Sequence, residues 1–300
     1  MNLIRRQATR SRHTEWHRTI RRCVASLLVA VPLCIAAIGP WLARSAPTVS
    51  QAPFGPSSWS PFGTDRLGRD VLAAALEGGR PLVVTTVLTV VVAYAIGSTI
   101  GLVAATTTRP VVEDLIMRPV DVLLCIPSLL VVLVVALRMD GSRIGIAAAV
   151  AAVLVPPIAR FIRMASRSVV QSPAMETLRL QGVGPVERYT GYARRRLARP
   201  VAADVGVRLV AALYILSSAN FLGIGFDTTS TDWAVAVAAN KEGLDVAPWS
   251  VLLPAGLIVA LALGTNLLLD ERLSYRRRLV PPEQSVCSAS QRVHALDDHE

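Results

Sequence analysis

A single lysine, Lys241, stands in the whole chain of 300 residues, and Glu242 follows it. The G-x-x-x-x-G-K-[ST] loop that cradles nucleotide phosphates therefore has nowhere to form, and ATP binding by that route is excluded. Histidine is nearly as scarce. His13, His17, His294 and His299 all fall in the two terminal stretches, where they are expected to meet solvent rather than bind metal or act as bases. The four cysteines, Cys23, Cys34, Cys125 and Cys287, show no C-x-x-C spacing, so neither a disulfide nor a metal site is predicted. No constellation of paired acids or clustered histidines suggests an enzyme, and no catalytic residue or cofactor is expected. "GTDRLGRD" has glycines at phosphate-loop-like intervals but follows no predicted strand.

Charge is also thin: 17% of residues are charged and 52% hydrophobic, with mean hydropathy +0.48. A soluble domain is usually more polar than this. Apolar runs of spanning length occur at Cys23–Leu42, Pro81–Ala105, Pro119–Leu137, Ile144–Ala159, Val201–Leu222 and Ser250–Leu269. The fold class expected is an all-α membrane protein, a polytopic bundle of about six transmembrane helices. The fourth run is expected to stop early at Pro156-Pro157. The first, although preceded by a basic leader and followed by "ARSA", is longer than a signal-peptide core and is expected to be retained.

Arginine placement gives orientation, because basic loops remain in the cytoplasm. With the N-terminus inside, about 23 basic residues fall inside and about 7 outside, so both termini are expected to be cytoplasmic. The +10 net charge then lies on faces that meet anionic headgroups, and no nucleic acid is needed to explain it. The expected organisation is a basic cytoplasmic tail (1–22), a first transmembrane helix (23–42), an external loop with an amphipathic elbow (43–80), a transmembrane domain (81–271) and a cytoplasmic tail (272–300). Within that domain lie a cytoplasmic loop (160–200) and an external loop (223–249).

Secondary transporters usually place ionisable groups near the bilayer midplane. Few are available here. Asp121 is close to a span end, and Asp204 with Arg208 is expected to pair across one helical turn and lean toward the interface. Asn220 and Asn266 suit hydrogen bonds between helices, and small residues at Gly97, Ser98, Gly101, Ala147 to Ala149 and Ser217-Ser218 suit close packing. The alternative, a secondary transporter or channel that works without an ATPase, would need a buried ionisable site or an internal repeat.

The cytoplasmic stretch "METLRLQGVGPVERYTGYARRRLARP", from Met175, interrupts the apolar chain with arginine. Ser172-Pro173 reads as an N-cap followed by proline at the first helical position, and Gly182 as a left-handed stop. A short helix is expected from about Pro173 to Gln181, and a second from Pro185 toward Pro200. Met175, Leu178 and Leu180 give the first an apolar flank fit for a groove on another protein. A solvated basic loop on lipid headgroups fits the periodicity equally well.

Glu176 followed after six positions by Gly182 resembles the coupling loop of binding-protein-dependent ABC permeases, whose pattern runs Glu-Ala-Ala, three residues, Gly, and later Ile-x-Leu-Pro. Thr177 and Leu178 stand in place of the two alanines, and Arg194-Arg195 about where Leu-Pro would fall. Other stretches are similar to the dipeptide, oligopeptide and nickel permease subfamily: "FGTDRLGRDVLAAALEGGR" from Phe62, "MRPVDVLLCIPSLL" from Met117, "NFLGIGF" from Asn220 and "NLLLDERL" from Asn266. Together they cover roughly Pro61 to Leu279.

This resemblance implies a permease subunit of an ATP-driven importer in a prokaryotic cell membrane, carrying peptides or a related small solute and forming half of the translocation path. It implies a second permease subunit in a heterodimer, two cytoplasmic ATPase subunits that bind the ATP, and an external solute-binding protein. Met175, Glu176, Leu178 and Gly182 are the implied ATPase-coupling residues. Gly63, Thr64, Asp65, Gly68, Arg69 and Asp70 belong to the external elbow, where Thr64 or Asp65 is expected to cap a helix that Gly78-Gly79 end. In the external loop, Thr231 or Asp232 is expected to cap a further short helix.

Overall fold

The computed structural model describes residues 2–44, 52–57, 59, 61–107, 109–138, 142–184, 187–222 and 230–277. Expectations for the start of the second helix at Pro185, for 223–229 and for the tail beyond 277 lie outside them. The fold is all-α, and no β-strand occurs among these residues.

Among the described residues nine α-helices follow in order: α1 (Asn2–Ala43), α2 (Val71–Thr106), α3 (Pro110–Leu124), α4 (Ser128–Arg138), α5 (Arg143–Val170), α6 (Pro173–Leu180), α7 (Arg194–Phe221), α8 (Trp233–Asn240) and α9 (Trp249–Arg277). A π-helical turn, Arg188–Ala193, leads into α7. Among the described residues five helices are long and apolar enough to cross a membrane, and the bent pair α3 and α4 makes a sixth span if counted as one.

That pair departs from the straight third span expected. The axis turns by 86° between Leu124 and Ser128. Pro127 has no amide hydrogen to donate and disfavours the helical conformation at the residue before it. Its carbonyl instead starts α4, accepting from Leu130 N at 3.1 Å. The reverse holds at Pro156-Pro157, where α5 continues to Val170. Neighbouring helices can shelter the backbone groups a proline frees, so a spanning helix tolerates it.

Helix α2 lies against α5, and α7, α9 and α1 complete the bundle. Glycine permits the closest crossings: a Cβ at Gly97 would overlap Ile158, and one at Gly101 would meet the Ala159 carbonyl and Ile162. Without a hydrophobic drive between helices in lipid, such close backbone approach and dispersion hold the bundle. The core between these helices contains Leu82, Val90, Ile146, Val150, Ile158, Ala212 and Leu216.

Candidate functional site

The chain assembles two polar structures at opposite ends of the bundle, joined by helices that run between them. At one end α6 sits between α5 and α7. Ser172 caps it, its Oγ accepting from Met175 N at 3.4 Å, and Pro173 fills the first turn where no amide donor is required. At the other terminus Gly182 has φ +77°. Gly182 N donates to Arg179 O at 3.0 Å and Val183 N to Leu178 O at 3.1 Å, the paired bonds of a Schellman stop. Both limits of the short helix agree with the sequence expectation.

The side chains on α6 divide differently. Met175 is buried at 6% exposure and Leu178 is half-buried, whereas Leu180 is 81% exposed. Met175 therefore faces the protein's own interior, and the apolar group presented outward is Leu180. Glu176 is open to solvent and lies 3.9 Å from Arg179. The helix after the turn also differs from expectation: Pro200 is interior to α7, which continues unbroken into the membrane span.

A cluster that the sequence reading missed ties α5 to α3 at this end. Glu113 is buried at 7% exposure. Its Oε1 accepts from Arg163 Nε at 2.6 Å and from Arg167 Nη1 at 2.8 Å. The signal was present as two arginines four apart on one face of α5, together with an acid in the first turn of α3.

At the opposite end, residues 52–57, 59 and 61–70 form a compact knot. Asp65 Oδ1 accepts from Leu67 N and Arg69 N, both at 2.8 Å, and Arg69 Nε reaches Asp65 Oδ2 at 2.9 Å. Thr64 is fully buried, accepts from Gly55 N at 2.8 Å and donates to Ala52 O at 2.6 Å. Gly63 (φ +77°) and Gly68 (φ +72°) supply the left-handed conformations that such tight reversals require. Neither Thr64 nor Asp65 caps a helix. That role belongs to Asp70, which accepts from Ala73 N at 2.9 Å and starts α2.

Gly78-Gly79 do not end that helix either. A Cβ at Gly78 would collide with the Thr231 carbonyl, and one at Gly79 with the Trp233 indole. The glycine pair is a slot for Trp233, which is fully buried and donates from Nε1 to Ala75 O at 2.7 Å. Asp232 starts α8 by accepting from Ala234 N at 3.0 Å, as one of the two expected caps. At the far end of α8, Asn240 Oδ1 accepts from Arg66 N at 2.9 Å and locks the helix to the knot.

Residues 97–274 match the family described as binding-protein-dependent transport system inner membrane component. The chain is 25% identical to the probable D,D-dipeptide transport system permease protein of Escherichia coli K12, over 82% of this chain and 83% of that one. It is 28% identical to the glutathione transport system permease protein of Pectobacterium atrosepticum (89% and 91% covered) and 27% identical to the di/tripeptide transport system permease protein of Pseudomonas aeruginosa (78% and 80%). With more than half of its length matched, the chain belongs to the binding-protein-dependent transport system inner membrane component family, the multi-pass permease subunits of prokaryotic ABC importers, which leave ATP hydrolysis to partner subunits.

Proposed function

We propose that this subunit imports peptides or a related small solute, that it pairs with a second, non-identical permease subunit, and that α6 is the helix gripped by a cytoplasmic ATPase. The observation that carries the reading is a rigid, doubly terminated helix inserted between two spans. Ser172 joins it to α5 with no slack, and the Schellman turn fixes the exit of the chain toward α7. A push on α6 is then delivered to both spans together. Through Glu113, Arg163 and Arg167 it also reaches α3 and the bend at Pro127.

Such a lever suits a two-state rocking change in which closure of the ATPases, at nucleotide binding, switches access from outside to inside. The partner-facing groups are Glu176 and the exposed Leu180, while Met175 anchors α6 to its own subunit. The knot and α8 stand on the opposite, external side, where a solute-binding protein would deliver cargo. Peptide as cargo follows the relatives, which are named as dipeptide and di/tripeptide transport permeases.

Cysteine at Leu180, cross-linked in native membranes with mass spectrometry of the adduct, tests the docking. Capture of a protein with a Walker phosphate loop is the expected result. Free labelling by a soluble thiol reagent with no protein captured would refute α6 as the docking helix.

A further inference from the structure

Two cavities meet at the root of α7. One is a groove of about 740 Å³ between α1, α2, α7 and α9, lined by Val29, Leu33, Val87, Leu213, Leu261 and Leu269 among others. Its two threonines turn their hydroxyls onto their own helices, Thr86 to Leu82 O at 2.8 Å and Thr265 to Leu261 O at 2.7 Å. What remains in the groove is almost wholly apolar. The other cavity, about 810 Å³, lies beside α6 and is lined by Leu178, Val183 and Tyr192 with Arg188, Arg195, Arg196 and Arg199; among the described residues Glu187 is its one acidic residue. Arg199 and Pro200 line both.

Among the described residues, no carboxylate lies within ion-pair distance of Arg188, Arg195, Arg196 or Arg199. Arg188 Nε is closed to solvent and meets no hydrogen-bond acceptor. The Arg196 guanidinium lies 5.5 Å from the Tyr192 ring centroid, which holds one cation at the rim.

From these features we infer that the joined cavities form a binding site for an anionic phospholipid, its phosphate held by the α7 arginines and an acyl chain laid in the groove. The stretch of α7 from Arg199 to Leu213 is roughly 21 Å long at ~1.5 Å per helical residue. That exceeds one leaflet of a hydrocarbon core about 30 Å thick, enough for a chain to lie along it. A peptide would bring backbone amides that this apolar groove cannot satisfy. Free phosphate would leave the groove unfilled, and an ATPase outside the membrane cannot reach it. Basic pockets between spanning helices are the general form of anionic-headgroup sites. The bound lipid also touches Leu178 and Val183, the two residues that flank the stop of α6.

The test uses the whole transporter complex, delipidated and examined by native mass spectrometry with dioleoyl phosphatidylglycerol, dioleoyl phosphatidylcholine or inorganic phosphate added. Retention of phosphatidylglycerol over phosphatidylcholine by roughly tenfold or more is expected. The preference should disappear in Arg195→Gln/Arg199→Gln, whose side chains are exposed, while Val87→Trp, which fills the groove, should weaken retention of both lipids. Equal retention of the two lipids would overturn the headgroup assignment. Phosphate binding with no retention of phosphatidylglycerol would make the hollow a simple anion site and overturn the lipid. Arginine variants that lose the ATPase subunits yet keep the lipid preference would make it a protein-docking surface instead.

Discussion

The Tyr94 hydroxyl on α2 donates to Asp204 on α7, joining two spans across 110 residues of sequence. The same carboxylate accepts from Arg208 Nε at 3.2 Å and Nη2 at 3.1 Å. The i,i+4 pair expected from the sequence does form, but it leans into the bundle against α2 and not out to the interface. Side-chain exposure of 10% for Asp204 and 19% for Arg208 settles the direction. Removing one partner of a buried pair strands the other charge. Asp204→Ala should therefore cost about 3–5 kcal/mol, and Tyr94→Phe, which leaves the ion pair whole, only about 1 kcal/mol. Thermal unfolding of the solubilised protein measures both, and equal losses would show that the pair carries no weight of its own.

Helix existence was legible in the sequence, because length and apolarity decide it and no tertiary partner is needed. Both limits of α6 were legible too, since Ser172, Pro173 and Gly182 act locally. What was hidden depends on who stands opposite. Gly78-Gly79 read as a helix stop, yet the helix continues because the pair makes room for Trp233, more than 150 residues later. Met175 read as a partner contact because helical periodicity shows a face without saying which neighbour covers it. Pro127 and Pro156-Pro157 carry the same local penalty, and packing around each decides which one bends the chain.

The turn at Gly182 makes a prediction that separates coupling from folding. A Cβ there would meet no atom within 4 Å, so a substitution suffers only from the positive φ. Gly182→Val should cost on the order of 1–2 kcal/mol locally and misdirect the chain toward α7. Insertion and assembly with the ATPases should survive while solute-stimulated ATP hydrolysis and uptake fall together. Normal uptake by this variant would remove the case for a rigid turn.

Gly79 is the complementary test, because there the obstruction is steric. Gly79→Val must displace the Trp233 indole from α2 and break its 2.7 Å bond to the Ala75 carbonyl. Overpacking of this kind typically costs about 1–3 kcal/mol. Tryptophan emission should shift to the red and quencher access should rise, as α8 lifts from the bundle. An unchanged spectrum together with an unchanged melting temperature would mean that α8 is held by its other contacts alone.

Asp232, at the start of α8 and outside the spans, gives stability a pH dependence of unusual sign. It is fully buried, and burial pushes its carboxyl up from 3.8 to about 6, against hydrogen bonds from Ala234 N and Asn220 and the nearby charge of Arg143, all of which pull it down. Between those two values the folded chain holds a proton that the unfolded chain has lost, so stability falls as pH rises through this window and is level above it. The full span is on the order of 3 kcal/mol. Asp232→Asn keeps an acceptor for Ala234 N and cannot ionise. Its melting temperature should therefore exceed that of the natural protein above about pH 7, and the gap should narrow as the pH is lowered toward about 4.5. A gap of constant size at every pH would place the effect in packing and leave the buried carboxylate without a role in it.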